Sequence, residues 1–465
     1  MIHLIKNLKI GNFKSIGVRR GKIKEIELAP LTIFVGPNGS GKSSILQAVA
    51  IMAQCVANKV SILNALRGEL VDFEDKKNIF WKENEAEPLS LGFESEIIIE
   101  DVIKALRKDL AYLRDTFMKS PKRPESPFDR YMNFFFRLYR KFLDKRRTNK
   151  TAIGIKYLST VTADMRSYEH SYSMDDTVIG VKAEKGKPKY TPKELQLIAG
   201  GDFLPYFNMV GGLESNFIAL PSDHLRSKVS KVYYLSAERG SIPWTYAPSS
   251  KAKTWVGKNG EYTLEILTRL MKPEFDAKRL PYELFCERFG IGHAWAGWDR
   301  VNALTSNYED PFLKSSHKFP SLGQGSKQLI PVITQLAYSD SGSIILVEEP
   351  EMSLHPAYQR LLPALFGRAV KEGKQILLTT HSSYFPLSLD LVLKGYNLSG
   401  QTTRGRKKYR IQLSTDDVLV YHVMRDRRGY TNLEKLEIDE NGLKEGIPSF
   451  INVEREILGR YMSKE

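Results

Sequence analysis

The stretch Leu31-Thr32-Ile33-Phe34-Val35-Gly36-Pro37-Asn38-Gly39-Ser40-Gly41-Lys42-Ser43 decides the fold, because it places a glycine-rich loop directly after an apolar strand. The loop matches G-x-x-x-x-G-K-[ST], and a helix-forming run follows it. Glycine at positions 36, 39 and 41 lets backbone N–H groups turn inward around phosphate oxygens. A helix that begins near Lys42 directs the positive end of its dipole at the same anion. The stretch therefore predicts a phosphate-binding loop.

The chemistry of the loop residues suggests their roles. Lys42 is expected to contact the β- and γ-phosphates of a nucleotide, and the Ser43 hydroxyl is expected to bind Mg²⁺. A glycine-rich turn before a helix, with no ligand, is the alternative interpretation. The remaining predicted nucleotide contacts are Gly36, Asn38, Gly39, Ser40, Gly41 and Ser44.

A second decisive stretch is Ile344-Ile345-Leu346-Val347-Glu348-Glu349-Pro350-Glu351. Four aliphatic residues before a carboxylate are typical of a strand buried on both faces of a parallel sheet, and open α/β sheets bind ligands at that end of the strand. Glu348 is expected to hold Mg²⁺ or its water shell, and Glu349 to polarise the water that attacks the γ-phosphate. The alternative is an exposed acidic turn. Together the two stretches predict a protein that binds and hydrolyses a nucleoside triphosphate.

Two further segments narrow the interpretation. Residues 375–380 predict a buried strand that ends at His381, whose imidazole could sense the γ-phosphate and orient the attacking water. A structural histidine is the alternative. Residues 321–328 predict a glycine-rich helix start, which can bind a second anion, although a plain loop before a helix has the same pattern.

Four segments in chain order resemble the ABC-type ATPases of the SMC, RecF and OLD group: the phosphate loop, the glycine-rich helix start, the E-E-P-E stretch and the strand that ends at His381. Residues 12–16 and 232–240 also resemble that group, and the resemblance spans roughly residues 1–100 and 225–465. Within the group, the chain is most similar to stand-alone ATPases of phage-defence operons, such as the ATPase subunits of PARIS or Septu. The resemblance implies an α/β fold: an ABC-type P-loop ATPase head whose mixed sheet core and antiparallel β lobe carry a helical insertion.

In that group, two copies enclose ATP between them. The resemblance therefore implies that Gly323, Gly325 and Ser326 of one copy contact the γ-phosphate held by Lys42 of the other. Ser353 and His355 would lie at the interface. Lys42, Glu349 and His381 are the implied catalytic residues, and Ser43 and Glu348 the implied metal ligands.

The chain departs from the group's pattern at three places. Gly323 stands where the group has its signature serine. Glu348 replaces an aspartate and is one methylene longer, so Mg²⁺ is expected to be held through water. The only Q-loop candidate is Gln196.

Composition bounds the class of protein. The chain has 465 residues, of which 42% are hydrophobic, as in ordinary globular proteins. No apolar run approaches the length of a membrane span, so no membrane partner is expected. Cys55 and Cys286 alone supply neither a disulfide framework nor a metal cluster, which fits a reducing cytoplasm.

The net charge of +15 is concentrated in residues 101–150, which hold fifteen Lys or Arg against six Asp or Glu. Interleaved basic and aromatic residues suit the backbone and bases of a nucleic acid. Several of the aromatic residues also follow a helical period, which predicts a packed face opposite solvated charges. Both interpretations stay open at this point, and a protein partner is the third. The aromatic residues are Tyr112, Phe117, Phe128, Tyr131, Phe134, Phe135, Phe136, Tyr139 and Phe142.

The expected organisation has four parts: an N-terminal ATPase half (1–100), a basic and aromatic insertion (101–230), a C-terminal ATPase half (231–400) and a β/α extension (401–465). No D-x-D pair follows His381, so no Toprim nuclease domain is expected. The resemblance implies an ATP hydrolase that dimerises around ATP, or forms a higher oligomer, and serves as sensor or scaffold for a separately encoded effector in antiviral defence. The alternative is a RecF-like DNA-binding ATPase of DNA repair.

Overall fold

A computed structural model describes residues 5–18, 21–58, 62–74, 79–83, 86–117, 127–147, 152–161, 167–174, 177–184, 195–199, 202–203, 224, 226–240, 242, 245–246, 252–299, 303–402, 405–453 and 456. Within them, no helix is long and apolar enough to cross a membrane.

The strands belong to three larger sheets and two hairpins. In chain order they are β1 (Asn7–Gly11), β2 (Lys24–Glu27), β3 (Leu31–Val35), β4 (Leu89–Ile98), β5 (Ala152–Val161), β6 (Ser167–Met174), β7 (Thr177–Glu184), β8 (Leu195–Ala199), β9 (Asp202–Phe203), β10 (Val232–Leu235), β11 (Thr245–Tyr246), β12 (His293–Trp298), β13 (Leu304–Glu309), β14 (Ser316–His317), β15 (Ile344–Glu348), β16 (Gln375–Thr380), β17 (Tyr396–Thr402), β18 (Gly405–Ile411), β19 (Val418–Arg425), β20 (Thr431–Leu436), β21 (Ile438–Asp439) and β22 (Gly442–Leu443).

The α-helices vary widely in length. In chain order they are α1 (Lys42–Asn58), α2 (Ile99–Phe117), α3 (Pro127–Arg147), α4 (Thr263–Leu270), α5 (Asp276–Arg288), α6 (Gln324–Tyr338), α7 (Pro356–Gln359), α8 (Leu362–Lys371), α9 (Tyr384–Leu387) and α10 (Asp390–Leu393).

The central sheet has the strand order β10-β15-β16-β3-β19-β20. Its first five strands are parallel, and β20 pairs antiparallel to β19. Every residue of β3, β15 and β16 is buried, as their uninterrupted apolar sequences predict. The two strands β19 and β20 come from the segment assigned to the C-terminal extension, so part of that segment completes the core sheet.

The register of the central sheet brings three chain segments to one edge. Val35 at the end of β3 pairs with Thr380 of β16 on one side and with His422 of β19 on the other. Because parallel strands end at the same edge, the loop after β3 lies between His381 and the end of β19.

The antiparallel lobe is an eight-stranded sheet with the order β2-β1-β4-β5-β6-β7-β8-β9. Strands β5 to β9 arise from the predicted insertion, which therefore extends this sheet after contributing the helices α2 and α3. The predicted fold class, an α/β ATPase head with a mixed core sheet, an antiparallel lobe and a helical insertion, is confirmed. Gln196 lies in β8, where its backbone pairs with Gly180; its side chain lies outside the described set.

Residues 241–320 are irregular in sequence and rich in Trp, Tyr and Pro, a pattern that suggests a helical lobe before α6. The structure of this segment differs from that expectation. It contains α4 and α5, but also an antiparallel sheet of β11, β13 and β12, with β14 paired to β13. Alternating buried and part-exposed residues of β12 support this sheet, since one face packs on the core while the other meets solvent.

The described part of α3 favours the amphipathic interpretation of the aromatic residues. Leu138 and Phe142 are buried in the core of the lobe, and Tyr139 packs against it. Phe136 is 46% exposed. The side chains of Tyr112, Phe117, Phe128, Tyr131, Phe134 and Phe135 lie outside the described set.

A buried glutamine joins the central sheet to the start of the chain. The side chain of Gln375 accepts a hydrogen bond from Ile5 N (2.9 Å) and donates to the carbonyl oxygens of Ile5 (2.7 Å) and Ala29 (3.2 Å). Only 2% of the residue is exposed, so water cannot replace these bonds.

We expect Gln375→Leu to lower the free energy of unfolding by about 2–4 kcal/mol, because it leaves buried main-chain groups without partners. Chemical denaturation measures the change. Gln412→Leu, at an exposed position of the same residue type, is the matched control and should stay within about 0.5 kcal/mol of the parent protein. Equal effects of the two substitutions would contradict the assignment.

Candidate active site

The loop between β3 and α1 closes around the side chain of Lys42. Lys42 Nζ donates to the carbonyl oxygens of Gly36 (2.9 Å) and Pro37 (2.8 Å). Gly41 has φ +103°, and a Cβ there would collide with the hydroxyl groups of Ser15 and Thr431. The loop therefore needs glycine at this position both for its backbone conformation and for the close approach of its neighbours.

Burial changes the ionisation of Lys42. Its pKa is lowered to about 8, mainly because the ammonium group loses water, while the nearby carboxylate of Glu349 partly opposes this effect. Neutral carbonyl oxygens compensate a buried charge only in part, so an anion bound beside Lys42 would stabilise the ammonium form.

The loop opens into a cleft of about 510 Å³. Three cationic side chains and one carboxylate reach it, a balance that suits a polyanion. The lining residues are Lys14, Ser15, Asn38, Gly39, Gly41, Lys42, Ser43, Ser44, Phe80, Glu349, His381 and Arg425.

Glu349 and His381 meet across the ends of β15 and β16. Their Oε1 and Nε2 atoms are 3.3 Å apart, and this contact is the main reason that the pKa of Glu349 lies below its usual value. Glu349 is therefore ionised at neutral pH. Its backbone has φ +44°, uncommon for a residue with a side chain and concentrated at functional sites, and its N–H donates to Thr379 O (2.9 Å).

Glu348 faces away from the cleft, although it is the neighbour of Glu349. Its carboxylate accepts hydrogen bonds from the Tyr234 hydroxyl (2.8 Å) and from Ala237 N (3.4 Å). The residue is 8% exposed and does not line the cleft, whereas Ser43 does. Ser43 is therefore placed to bind a magnesium ion in the cleft directly, whereas Glu348 could reach such an ion only through water.

Two buried polar groups belong to the phosphate loop and to the carboxylate stretch. The hydroxyl of Ser40, inside the phosphate loop, is buried without a hydrogen-bond partner, and Ser40 does not line the cleft. Glu351 Oε1 accepts from the backbone N–H groups of His381 (2.6 Å) and Ser382 (3.2 Å), so the third glutamate of its stretch anchors the end of β16. Burial raises the pKa of Glu351.

The predicted second anion site lies elsewhere on the chain. Gly323 caps α6, and none of Gly323, Gly325 and Ser326 lines the cleft. A Cβ on Gly325 would lie 2.5 Å from Ser353 O, so the start of α6 packs directly on the loop of Ser353. Ser353 and His355 are exposed. The start of α6 and this loop form one surface separate from the cleft.

The structure adds four cleft residues that motif analysis missed. Lys14 and Ser15 belong to the segment of residues 12–16, and the resemblance of that segment to the ATPase group is the signal that could have identified them. Lys14 Nζ donates to Gln47 Oε1 (2.7 Å). Phe80 and Arg425 follow no sequence pattern that would single them out. Arg425 reaches the cleft because β19 pairs beside β3, which the sequence does not specify.

The chain matches two family models. One, described as "AAA ATPase domain", matches residues 4–252, more than half of the chain. The other, described as "AAA domain, putative AbiEii toxin, Type IV TA system", matches residues 298–388. No curated protein has a sequence significantly similar to this chain.

Among solved structures, similar chains include three SMC heads. An SMC head bound to the C-winged helix domain of ScpA is 14% identical, with 94% of this chain and 98% of that chain covered and a TM-score of 0.48. The SMC head domain of Thermotoga maritima is 12% identical (93% and 99% covered, TM-score 0.40). The Smc head with an extended coiled coil bound to ScpA, from Pyrococcus furiosus, is 12% identical (97% and 99% covered, TM-score 0.44). These TM-scores are too low to carry conclusions about function.

The lowered pKa of Lys42 predicts a pH dependence of nucleotide affinity. A bound phosphate favours the ammonium form, and the free protein loses that form as the pH rises through about 8. The affinity for ATPγS should therefore be nearly constant below pH 8 and fall by up to about tenfold per pH unit above it. Isothermal titration calorimetry between pH 7 and pH 9.5 measures this slope.

Lys42→Arg is the matched control, because arginine keeps its charge throughout this range. The variant should lose the slope even where its affinity is weaker. An equal slope in both proteins would assign the titration to another group.

Proposed function

Because the chain belongs to the family of AAA ATPase domains, we propose that it binds ATP with Mg²⁺ and hydrolyses it in a site completed by a second copy. The observation that carries this proposal is the convergence of Lys42, Glu349 and His381 on one cleft, with Glu349 and His381 in contact. A phosphate loop, an ionised carboxylate and an imidazole at one cleft suit phosphoryl transfer to water.

Each group has a defined part in this reaction. Lys42 and the N–H groups of the loop would hold the β- and γ-phosphates, while Glu349 accepts the proton of the attacking water. His381, bonded to Glu349, would orient that carboxylate and contact the γ-phosphate. Mg²⁺ near Ser43 and Glu348 would neutralise the charge that develops on the phosphate oxygens.

The position of the second anion site supports a composite site. Gly323, Gly325 and Ser326 lie outside the cleft of their own chain, on a surface shared with the exposed Ser353 and His355. A glycine-rich helix start suits an anion, so we assign these residues to the γ-phosphate bound by a partner copy. The arrangement corresponds to two ATP molecules enclosed in a dimer or in a higher oligomer built from it.

We further propose that the assembly acts in antiviral defence, as sensor or scaffold for a separately encoded effector, in the cytoplasm. The match of residues 298–388 to the model named for a putative AbiEii toxin supports this direction, as does the sequence resemblance to defence ATPases. The proposed division of labour follows the expected domains with one change. Residues 1–100 and 231–400 form the ATPase together with β19 and β20 of the 401–465 segment, and residues 101–230 are available for partners.

A second candidate function, DNA binding of the RecF type, is favoured by the surface of α2 and α3. Exposed cations on this pair of helices could follow a phosphate backbone. They are Lys104, Arg107, Lys108, Arg137, Arg140, Arg146 and Arg147.

We expect Glu349→Gln to reduce ATP hydrolysis by about 10²–10⁴-fold while ATP stays bound, because the amide keeps the shape but cannot accept the proton. With MgATP this variant should accumulate as a dimer in size-exclusion chromatography with light scattering. Lys42→Ala should lose ATP binding, and Glu274→Gln, at an exposed position, should behave like the parent.

The outcomes separate the parts of the proposal. Normal hydrolysis by Glu349→Gln would move the proton acceptor to another residue. If the variant retains ATP yet stays monomeric, the proposal that a second copy completes the site is wrong.

For DNA, we expect binding of a duplex probe to weaken with salt by about 0.9 log units per phosphate contact for each tenfold rise in salt concentration. The double substitution Arg137→Glu and Arg140→Glu should reduce both the affinity and the slope in fluorescence anisotropy. Lys407→Glu with Lys408→Glu, an equal charge change at exposed positions of β18, is the control. Salt-independent binding, or equal losses in both variants, would exclude α2 and α3 as a DNA surface.

A further inference from the structure

The segment Tyr234–Gly240 has no part in the function described so far, yet it contacts the site at four points. It begins within β10, the strand beside β15, and then turns toward α6. Its sequence combines a phenol, a buried arginine and a glycine.

Arg239 is 2% exposed and directs its donors at main-chain carbonyl oxygens. Nη2 donates to Glu349 O (2.7 Å), and Nη1 donates to Glu348 O. Nε donates to Gln328 O (3.0 Å) in α6, and Nη1 also donates to Ser236 O (2.7 Å) within the segment. One planar guanidinium group therefore joins the main chain of both carboxylate residues to α6.

Gly240 keeps the segment pressed against α6. It has φ +98°, and a Cβ there would lie 3.0 Å from Gln328 N and 2.9 Å from Gln328 Cγ. Any larger residue would push the segment away from the helix and lengthen the Arg239 bond to Gln328 O.

The same segment fixes the carboxylate of Glu348. The Tyr234 hydroxyl donates to Oε1 (2.8 Å), and Ala237 N approaches Oε2 (3.4 Å). Tyr234 is 1% exposed, so the phenol cannot turn to water instead.

The charge of Arg239 suits this place. Burial lowers its pKa to about 10, so the guanidinium group still carries its charge at neutral pH beside Glu348, Glu349 and Glu351. A lysine would keep the charge but not the planar set of donors that reaches carbonyl groups in several directions.

We propose that Tyr234–Gly240 is the positioning segment of the site: Arg239 fixes the main chain of Glu348 and Glu349 to α6, and Tyr234 fixes the carboxylate of Glu348. The inference rests on the proposed ATPase function. It adds that α6, whose start carries Gly323 and Gly325, is mechanically joined to the proton-accepting carboxylate of the same chain. Anion binding at the start of α6 would then be transmitted to Glu349.

The test compares Arg239→Lys and Arg239→Met with the parent protein in steady-state ATP hydrolysis, ATPγS binding and thermal unfolding. A displaced Glu349 should lower kcat by about 10²-fold. Affinity for ATPγS should change by less than about threefold, because Lys42 and the phosphate loop do not contact Arg239. Arg279→Lys is the matched control and should keep kcat and affinity within about threefold of the parent. Arg279, in α5, also donates to a main-chain carbonyl, Met271 O (2.9 Å), but it does not line the cleft.

Tyr234→Phe supplies a second measurement in a variant that keeps the buried ring. Loss of the phenol should raise the Mg²⁺ concentration for half-maximal activity by about 10-fold or more.

The outcomes are distinct. A parent protein that does not hydrolyse ATP overturns the proposed function itself. If the parent hydrolyses ATP while both Arg239 variants keep kcat within about threefold, or lose kcat and ATPγS affinity together, the positioning role is wrong. Should Arg239→Met fail to fold, Arg239→Lys and Tyr234→Phe decide, and an unchanged kcat with an unchanged Mg²⁺ requirement overturns the inference.

Discussion

The parallel pairing of β15, β16, β3 and β19 is the constraint on which the site depends. These strands come from distant parts of the chain, and each is followed by a different functional group. Because parallel strands end at one edge, their pairing alone gathers the phosphate loop, Glu349, His381 and Arg425. The full burial of β3, β15 and β16 holds these strands in the centre of the sheet, since their apolar side chains are covered on both faces.

The electrostatics of the cleft describe a site prepared for an anion. Lys42 Nζ donates to neutral carbonyl groups, and burial lowers its pKa. The contact with His381 lowers the pKa of Glu349, which is therefore ionised at neutral pH. A bound polyphosphate would pair with the ammonium group of Lys42 and would leave the carboxylate of Glu349 ionised. The charges of the cleft are thus separated: the cations lie around the loop, and the carboxylate of Glu349 lies beside His381.

The sequence predicted the parts of this structure that repeat a local pattern. The strand before the phosphate loop, the strand before Glu348 and the strand before His381 are each encoded by a short apolar run, and all three were placed correctly. The extension of the antiparallel lobe by β5 to β9 depends on pairing between distant segments, which a local sequence pattern does not specify. For the same reason, Arg425 and Phe80 could not be recognised as cleft residues. The orientation of Glu348 away from the cleft depends on Tyr234, which no spacing rule connects to it.

The separation of α6 from the cleft gives the Arg239 contacts their significance. A helix start that bound phosphate within its own chain would need no link to Glu349, because the same ligand would touch both. Here Gly325 packs on the Ser353 loop, outside the cleft, while Gln328 in the second turn of the same helix is bonded to the arginine that also holds Glu349 O. In the proposed composite site, an anion at the start of α6 would therefore affect Glu349 of the same chain through the protein. A buried guanidinium group that spans three segments is a short and stiff path for this effect, since its donors lie in one plane and each is matched to a carbonyl oxygen.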